Sequence, residues 1–210
     1  MSKSKLNYLF GDKCWDYLPE RLHYVTPYQI SQAVAKLVHD HYSLQDATVW
    51  DMFAGIGMDS VNLSRYAKQV ISTEVDLPTY CKLETNCQNN TNITCIHADC
   101  CRGLAKGTAD VVYFDPPWGD DFMSGTDFDF HQVVVSDTVD VIELLRQVVD
   151  QYRLVIVKSP YESSSFELAF DDQITAIYAF PKPKVKFLII ENKGTPWNKG
   201  TPWKLFSKLA

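Results

Sequence analysis

The length, composition and charge of the chain narrow the classes of protein to which it can belong. Its 210 residues are enough for one domain with a well-buried core and too few for two domains of ordinary size. Apolar residues make up 46% of the sequence, yet no apolar run approaches the roughly 20 residues that span a bilayer. The formal net charge of −6 disfavours a protein that grips long stretches of nucleic acid, because phosphate contacts need basic surfaces. The N-terminal residues lack the apolar core of a signal peptide, so we expect an intracellular protein, cytoplasmic or nuclear.

The first part of the chain divides into an extension and the start of a domain. Residues 1–25 form an aromatic-rich N-terminal extension, and the stretch from Tyr8 to Tyr24 shows no regular period. Thr26 and Pro27 predict the start of a helix, with Thr26 as the capping residue and Pro27 in the first helical position. Apolar residues then recur at helical spacing as far as Val38. We expect the main domain to cover residues 26–192.

From Thr48 onward, short apolar runs alternate with helical patterns. We predict strands at residues 48–53, 69–73, 93–97, 110–114, 154–158, 173–180 and 185–191. We predict helices at residues 59–67, 77–89 and 137–152, with a weaker helix near 164–170. This alternation predicts a parallel sheet with helices on both faces, and the short link before the last strand predicts an antiparallel hairpin. The expected fold is an α/β, Rossmann-like domain with a mostly parallel, seven-stranded sheet.

The C-terminal residues 193–210 form a basic and aromatic tail in which KGTPW occurs twice. Two copies are too few to stack as a repeat protein. We interpret the tail as a flexible end that either contacts RNA or a protein partner or has no binding role.

A glycine-containing turn follows the first predicted strand. The strand runs into Asp51, Phe53, Gly55 and Gly57, and glycines at such a point allow a tight turn and a close backbone approach to a ligand. The pattern lacks a third glycine, and Asp51 would repel a phosphate group. A cationic amino-acid moiety therefore fits this turn better than the pyrophosphate of a dinucleotide.

Two further carboxylates stand at the ends of the next predicted strands. Glu74 ends the second strand, where a carboxylate can accept hydrogen bonds from both hydroxyls of a ribose. Asp99 follows the third strand and can accept from the amino group of an adenine. Together with the turn, they predict a site for S-adenosylmethionine (SAM), which carries an ammonium and a sulfonium group. Ordinary loop acids and turn glycines are the alternative interpretation.

The fourth predicted strand ends in Asp115, Pro116, Pro117 and Trp118. An exocyclic amino group on a nucleobase is a poor nucleophile, and two acceptors on its hydrogens make its lone pair available. The Asp115 carboxylate and the Pro116 backbone carbonyl are our candidates, and the two prolines fix the loop that carries them. Trp118 offers a flat surface on which a base can stack, worth about 1–3 kcal/mol. The motif predicts methylation of a nucleobase amine, and a rigid structural turn is the alternative.

The cysteines do not predict a metal site. Six are present, without CxxC spacing and without histidines at zinc-finger spacing. We interpret all of them, including the adjacent Cys100 and Cys101, as reduced thiols packed on or near the core, and we expect no metal.

Over residues 15–192 the sequence resembles the RNA cap guanine-N2 methyltransferases, the trimethylguanosine synthase family of class I SAM-dependent methyltransferases. The resemblance rests on four segments: a tryptophan-bearing segment leading to YVTP at 24–27, DMFAGIG at 51–57, VISTEVD at 70–76 and VYFDPPWG at 112–119. It implies methylation of the N2 amine of a 7-methylguanosine cap, with capped RNA or a cap nucleotide as the partner.

The resemblance also implies roles for single residues. Glu74 would hold the ribose of SAM, and Trp118 would stack on the 7-methylguanine ring, whose positive charge suits an aromatic face. Trp15 is the candidate for a second aromatic residue that encloses the base. Lys182 and Lys184, near the predicted hairpin, are candidates for contacts with the cap triphosphate, and solvated surface charge is the alternative for both.

One departure from the family leaves the substrate open. The family commonly has two glycines after the tryptophan, whereas this chain has Gly119, Asp120 and Asp121. Two carboxylates beside the base either favour a cationic ring or indicate another substrate, and adenine-N6 and internal guanine-N2 enzymes share the Asp-Pro-Pro-aromatic element. A non-catalytic subunit is a further alternative, although degenerate subunits usually lose the glycines or this element, and both are intact here.

Overall fold

A computed structural model of the chain describes residues 2–102, 109–119, 129–136 and 139–192. The strands are β1 (Thr48–Asp51), β2 (Gln69–Glu74), β3 (Ile93–His97), β4 (Val111–Phe114), β5 (Val134–Val135), β6 (Val139–Asp140), β7 (Leu154–Pro160), β8 (Ile174–Phe180) and β9 (Val185–Glu191). The α-helices are α1 (Lys3–Phe10), α2 (Tyr28–Tyr42), α3 (Met58–Leu63), α4 (Leu77–Cys87), α5 (Val141–Gln151) and α6 (Ser165–Phe170). Short 3-10 turns occur at Pro19–Tyr24, Leu44–Asp46, Cys100–Arg102 and Phe130–Gln132.

Seven of the strands form one sheet in the order β3-β2-β1-β4-β7-β9-β8, and β5 pairs with β6 in a separate ribbon. The first five strands of that order are parallel, whereas β9 runs antiparallel to both β7 and β8. The predicted Rossmann-like α/β fold, with its C-terminal antiparallel hairpin, is confirmed. Strands β4 and β7 are buried along their whole length, which is the pattern of central parallel strands covered on both sides.

Two buried lysines show that helical segments cover both faces of the sheet. Lys158 in β7 lies opposite Phe187 of β9, so the neighbouring Lys186 points to the other face. Lys158 donates to Thr26, just before α2, while Lys186 contacts Glu167 in α6. No helix in the described ranges is long and apolar enough to cross a membrane.

The N-terminal extension is more regular than its sequence predicts. Residues 3–10 are helical and residues 19–24 form a 3-10 turn, so the interpretation of residues 8–24 as irregular is wrong at both ends and holds for residues 11–18 between them. The apolar side chains of Leu9, Phe10 and Trp15 pack with one another and with Ile56 beside the glycine turn. Burial of these side chains against the domain supplies a stabilisation that the local pattern does not show.

The predicted cap on the second helix is also wrong. The helix begins at Tyr28, Pro27 occupies the capping position, and no side chain caps it. The Thr26 hydroxyl instead donates to Asp59 Oδ2 at 2.7 Å and accepts from Lys158 Nζ at 2.8 Å. These buried charged groups are stronger partners for a hydroxyl than a backbone N–H.

The two glycines of the turn predict different responses to substitution. Both have positive φ, +54° at Gly55 and +90° at Gly57, so alanine at either position strains the backbone by about 1–2 kcal/mol. A Cβ at Gly57 would also lie 2.8 Å from Leu83 Cδ1, whereas one at Gly55 would meet open space. We therefore expect Gly57→Ala to lower the free energy of unfolding by about 1–3 kcal/mol more than Gly55→Ala does. Urea denaturation of the two variants measures the difference, and equal midpoints would contradict the packing assigned to Gly57.

Candidate functional site

The predicted site residues gather at one edge of the sheet. Asp51 ends β1, Glu74 ends β2, Asp99 lies just beyond β3, and Asp115 directly follows β4. Parallel strands bring their carboxyl ends to the same edge, as the sequence interpretation required. After β1 the chain continues to β2, which pairs with one side of β1, while β4 pairs with the other side of β1. At such a reversal of strand order a crevice opens at the carboxyl ends of β1 and β4.

Glu74 holds the glycine turn in place. Its Oε2 accepts from the Gly55 N–H at 3.0 Å, and its Oε1 accepts from the Asp76 N–H at 2.8 Å. Burial raises the pKa of Glu74, and these two backbone hydrogen bonds oppose the rise. Each carboxylate oxygen can accept a second hydrogen bond, so Glu74 keeps the capacity to bind two ribose hydroxyls.

The two glycines have distinct roles. Gly55 is open, since a Cβ built there meets nothing within 4 Å, and its backbone is therefore accessible to a ligand. The corresponding space at Gly57 is filled by Leu83 and Cys87 of α4. Gly57 thus allows α4 to pack beneath the turn. Phe53, the other predicted residue of this turn, packs edge-on against Phe114 with the ring centroids 5.3 Å apart.

Asp51 is the most deeply buried carboxylate of the edge, with 1% of its surface exposed. Its Oδ2 accepts from Ser60 Oγ at 2.6 Å, while Oδ1 has no hydrogen-bond partner among the described residues. Burial raises the pKa of Asp51 well above its usual value, and repulsion from Asp59 and Asp115 adds to the rise. A buried carboxylate oxygen without a donor fits a cationic ligand group, and the ammonium of SAM is such a group.

Asp99 is already engaged by two residues of its own loop and by the distant Ser136. Oδ1 accepts from the Cys101 N–H at 2.9 Å, and Oδ2 accepts from Arg102 Nε at 3.2 Å and from the Ser136 hydroxyl. Burial alone would raise the pKa of Asp99, but the hydrogen bonds from Ser136 and Cys101 outweigh it and lower the pKa. Only Oδ1 retains capacity for a further donor such as an adenine amino group.

The Asp115 carboxylate is paired with a lysine that the sequence interpretation missed. Lys158, which is 3% exposed, donates to Asp115 Oδ2 at 2.6 Å and to Thr26 Oγ1 at 2.8 Å. Asp115 Oδ1 makes no hydrogen bond within the described part of the chain. Burial raises the pKa of Asp115 to about 6, with Lys158 lowering it and Asp59 raising it. One oxygen is therefore fixed by an ammonium and the other is available as an acceptor.

Trp118 lies beside this ion pair rather than on an open surface. It is 8% exposed, and the Lys158 ammonium lies 5.2 Å from the centre of its ring. The distance is within the range of a cation–π interaction, so Lys158 contacts both the carboxylate and the aromatic residue of the motif.

Trp15 lies apart from Trp118, in a different hydrophobic cluster. It is 8% exposed and stacks on Phe10 at 6.4 Å, close to the glycine turn. The two tryptophans thus belong to separate packing clusters, and the enclosing role of Trp15 stays a prediction.

Lys182 and Lys184 lie in the link between β8 and β9. The register places this link at the same edge of the sheet as Asp115, because Pro160 at the end of β7 pairs with Val185. Strand β9 is two strands from β4, about 10 Å at the usual strand spacing. Lys182 is exposed, and Lys184 forms a surface ion pair with Glu162 at 3.0 Å.

Residues 46–196, more than half of the chain, match the family described as RNA cap guanine-N2 methyltransferase. This chain belongs to that family. Membership makes it a methyltransferase with SAM as its cofactor. No curated protein matches the sequence.

Solved structures of methyltransferases share the fold at low sequence identity. A proposed RNA methyltransferase from Pyrococcus horikoshii is 18% identical with a TM-score of 0.61, over 90% of this chain and 98% of its own. A 16S rRNA N2-guanine methyltransferase from T. thermophilus, solved with SAM and guanosine, is 17% identical with a TM-score of 0.57. That match covers 88% of this chain and 45% of the T. thermophilus chain. These likenesses show that the methyltransferase has the class I fold.

The methyltransferase also brings three potential metal donors together, on Asp99, Cys100 and Cys101, within 4.8 Å of one another. Both oxygens of the Asp99 carboxylate already accept hydrogen bonds, and all six cysteines are free thiols. Our expectation of reduced thiols without a metal stays a prediction. The predicted tail at 193–210 and the departures at Asp120 and Asp121 lie outside the described residues.

Sequence reasoning missed Lys158 and Asp59 for different reasons. Lys158 is a charged residue at the end of an otherwise apolar run, the same signal that identified Asp51 and Asp115. Applying that rule to every predicted strand would have found it. Asp59 lies in the first turn of α3, where an acidic residue is ordinary, so its link to Thr26 depends on the tertiary fold.

Asn86 joins the N-terminal extension to the cofactor turn. Its Oδ1 accepts from the Asp16 N–H at 2.8 Å, and its Nδ2 donates to the carbonyls of Asp16 and Ile56, both at 2.9 Å. Lys82 adds an ion pair with Asp16 at 2.9 Å. One side chain thus ties the extension to the loop that leads into α3.

We expect Asn86→Ala to lower the free energy of unfolding by about 1–3 kcal/mol, because three partly buried hydrogen bonds are lost. Limited proteolysis should also cut residues 2–26 faster in this variant. The control is Asn89→Ala, which changes an exposed asparagine just beyond α4. Equal proteolysis of the two variants would contradict the linking role of Asn86.

Proposed function

We propose that this methyltransferase transfers a methyl group from SAM to the exocyclic N2 amine of the 7-methylguanosine RNA cap. The observation that carries the proposal is the Asp115 carboxylate, with Oδ2 held by Lys158 at 2.6 Å and Oδ1 available beside the crevice. An amine needs such an acceptor to become nucleophilic. The family match names the guanine-N2 amine of a cap as the group methylated by its members.

SAM, when bound, supplies an electrophilic methyl group. Asp51 would bind its ammonium group and Glu74 its ribose, because Asp51 has a buried unpartnered oxygen and Glu74 keeps acceptor capacity at the end of β2. Asp99 would bind the adenine amino group through Oδ1 alone. The open face of Gly55 leaves room for the ligand to approach the backbone.

Asp115 Oδ1 and the Pro116 carbonyl would each accept one hydrogen of the amine, which frees the nitrogen lone pair. The reaction then depends mainly on orientation in a preorganised polar site. The methylated nitrogen is cationic and loses a proton readily. Asp115, whose pKa lies at about 6, is suited to accept it near neutral pH.

The cap itself fits the electrostatics of the chain. A net charge of −6 disfavours binding along many phosphates of a long RNA, whereas the few phosphates of a cap nucleotide need only a few lysines or arginines. Lys182 and Lys184 are candidates for its phosphates, since they lie at the edge that carries Asp115.

A second candidate is the N2 amine of an uncharged guanine within RNA. Lys158 already places a cation on one face of Trp118 at 5.2 Å. The Lys158 ammonium already draws on the electron density of the indole ring. The ring therefore binds a second cation, such as 7-methylguanine, less strongly than it binds an uncharged base.

Methyl transfer from labelled SAM to 7-methyl-GTP, with GTP as the matched alternative, tests the proposal. We expect label on 7-methyl-GTP and little on GTP. Label on GTP alone would favour the second candidate. Label on neither, in a protein that binds SAM by calorimetry, would overturn the cap proposal while leaving the cofactor in place.

The role of Asp115 predicts a pH dependence. Below about pH 6 the carboxylate takes up a proton, Oδ1 becomes a poorer acceptor, and kcat should fall about tenfold per pH unit. Asp115→Asn should lower kcat at least about 100-fold with little change in the Kd for SAM. The control is Asp46→Asn, at an exposed position before β1 and thus at the opposite edge of the sheet. A flat acid limb in the wild-type profile would show that Asp115 is not the acceptor.

A further inference from the structure

Lys158 is buried at a place where a lysine is costly. Every residue of β7 is buried, and Lys158 itself is 3% exposed. An ammonium in such a position loses its hydration, which costs several kcal/mol unless partners replace it. Two of its three donors reach Asp115 Oδ2 and Thr26 Oγ1, and the ring of Trp118 lies 5.2 Å away.

Stability alone does not account for this arrangement. Buried ion pairs add little net stability relative to apolar residues of the same volume. Lys158 contacts both Asp115, the proposed acceptor for the amine, and Trp118, the predicted stacking surface for the base. An ammonium held in this position fixes the carboxylate and the aromatic ring relative to each other.

We propose that Lys158 is a positioning residue for methyl transfer, which keeps Asp115 ionised with Oδ1 free and holds Trp118 by its ring face. The proposal rests on the proposed function insofar as Asp115 accepts an amine hydrogen. It adds a residue that lies outside the Asp-Pro-Pro-Trp motif and 43 positions further along the chain.

The surroundings of Asp115 explain why the cation matters. Asp59 on α3 and Asp51 on β1 share its buried environment, and Asp59 in particular raises the pKa of Asp115. Lys158 is the cation that the described residues place in contact with Asp115. Without it, burial and the neighbouring carboxylates would leave Asp115 protonated at neutral pH.

The chain offers a matched control in Lys186. This lysine is also buried, at 8% exposure, and is also paired with a carboxylate, that of Glu167. It points to the opposite face of the sheet from Lys158, because Phe187 is the residue that pairs with Lys158. Replacing either lysine by methionine removes one buried ammonium, but only Lys158→Met removes the partner of Asp115.

The test is a titration of the Asp115 carboxyl carbon by NMR in the SAM-free protein, with aspartate labelled by carbon-13 and the signal assigned by its loss in Asp115→Asn. We expect Lys158→Met to raise the pKa of Asp115 by about 1–3 pH units and Lys186→Met to leave it unchanged. Equal values in the wild type and Lys158→Met would overturn the proposal. Where Lys158→Met does not fold, Lys158→Gln removes the charge and keeps a donor to Thr26, and it carries the same expectation.

Kinetic measurements with 7-methyl-GTP distinguish a positioning role of Lys158 from a general loss of structure in its variants. Lys158→Met should lower kcat at pH 7 at least about 100-fold, move the acid limb to higher pH and keep the Kd for SAM within about threefold. The double variant Asp115→Asn/Lys158→Met should lose less activity than the product of the two single losses, since most of the effect of the lysine passes through the carboxylate and only the contact with Trp118 is independent of it. Multiplied losses would overturn the proposal. A wild-type protein that does not methylate 7-methyl-GTP would count against the cap substrate alone, because the NMR titration needs no substrate.

Discussion

Three carboxylates, the buried ones of Asp51 and Asp59 and the partly buried one of Asp115, converge on the crevice between β1 and β4. Lys158 is the cation that the described residues set against them. Charge of this kind is costly away from water, and one ammonium leaves the group negative overall. The fold accepts this cost at the point where we propose that SAM, which carries two cationic groups, binds. On this proposal the same buried charges serve both cofactor recognition and the electrostatics of the core, and SAM binding would reduce the repulsion among the carboxylates.

The N-terminal extension, residues 1–25, and Thr26 directly after it contact the candidate site. Thr26 connects Lys158 to Asp59 through a single hydroxyl, and Asn86 connects Asp16 to the loop of Ile56. Contacts from this stretch of the chain therefore reach both the loop of the glycine turn and the ion pair of Lys158 with Asp115. The packing of this stretch against the domain, rather than its own helical propensity, sets its conformation.

On the proposed function, substrate selection depends on the balance of charge around Trp118. The ring faces the Lys158 ammonium on one side, and the family resemblance predicts a cationic base as its partner. The two interactions compete for the same electron density. The carboxylate of Asp115 offsets the ammonium at 2.6 Å, so the pair as a whole presents less positive charge to the ring than an isolated lysine would. On the proposed function, this balance sets the preference between a cap guanine and an uncharged guanine within RNA.

The sequence by itself determined the fold class and the family, because buried parallel strands are short apolar runs. It also placed the candidate site residues at the ends of strands, since Asp51, Glu74 and Asp115 directly end or follow apolar runs. It also predicted the turn at Gly55 and the rigid motif at Asp115. Only the tertiary structure decided the partners of those groups. The link from Lys158 through Thr26 to Asp59 joins positions 132 and 33 residues apart, and no local pattern encodes a contact over such separations. Local rules assigned Thr26 to a helix cap, and the packed core gave its hydroxyl two charged partners instead.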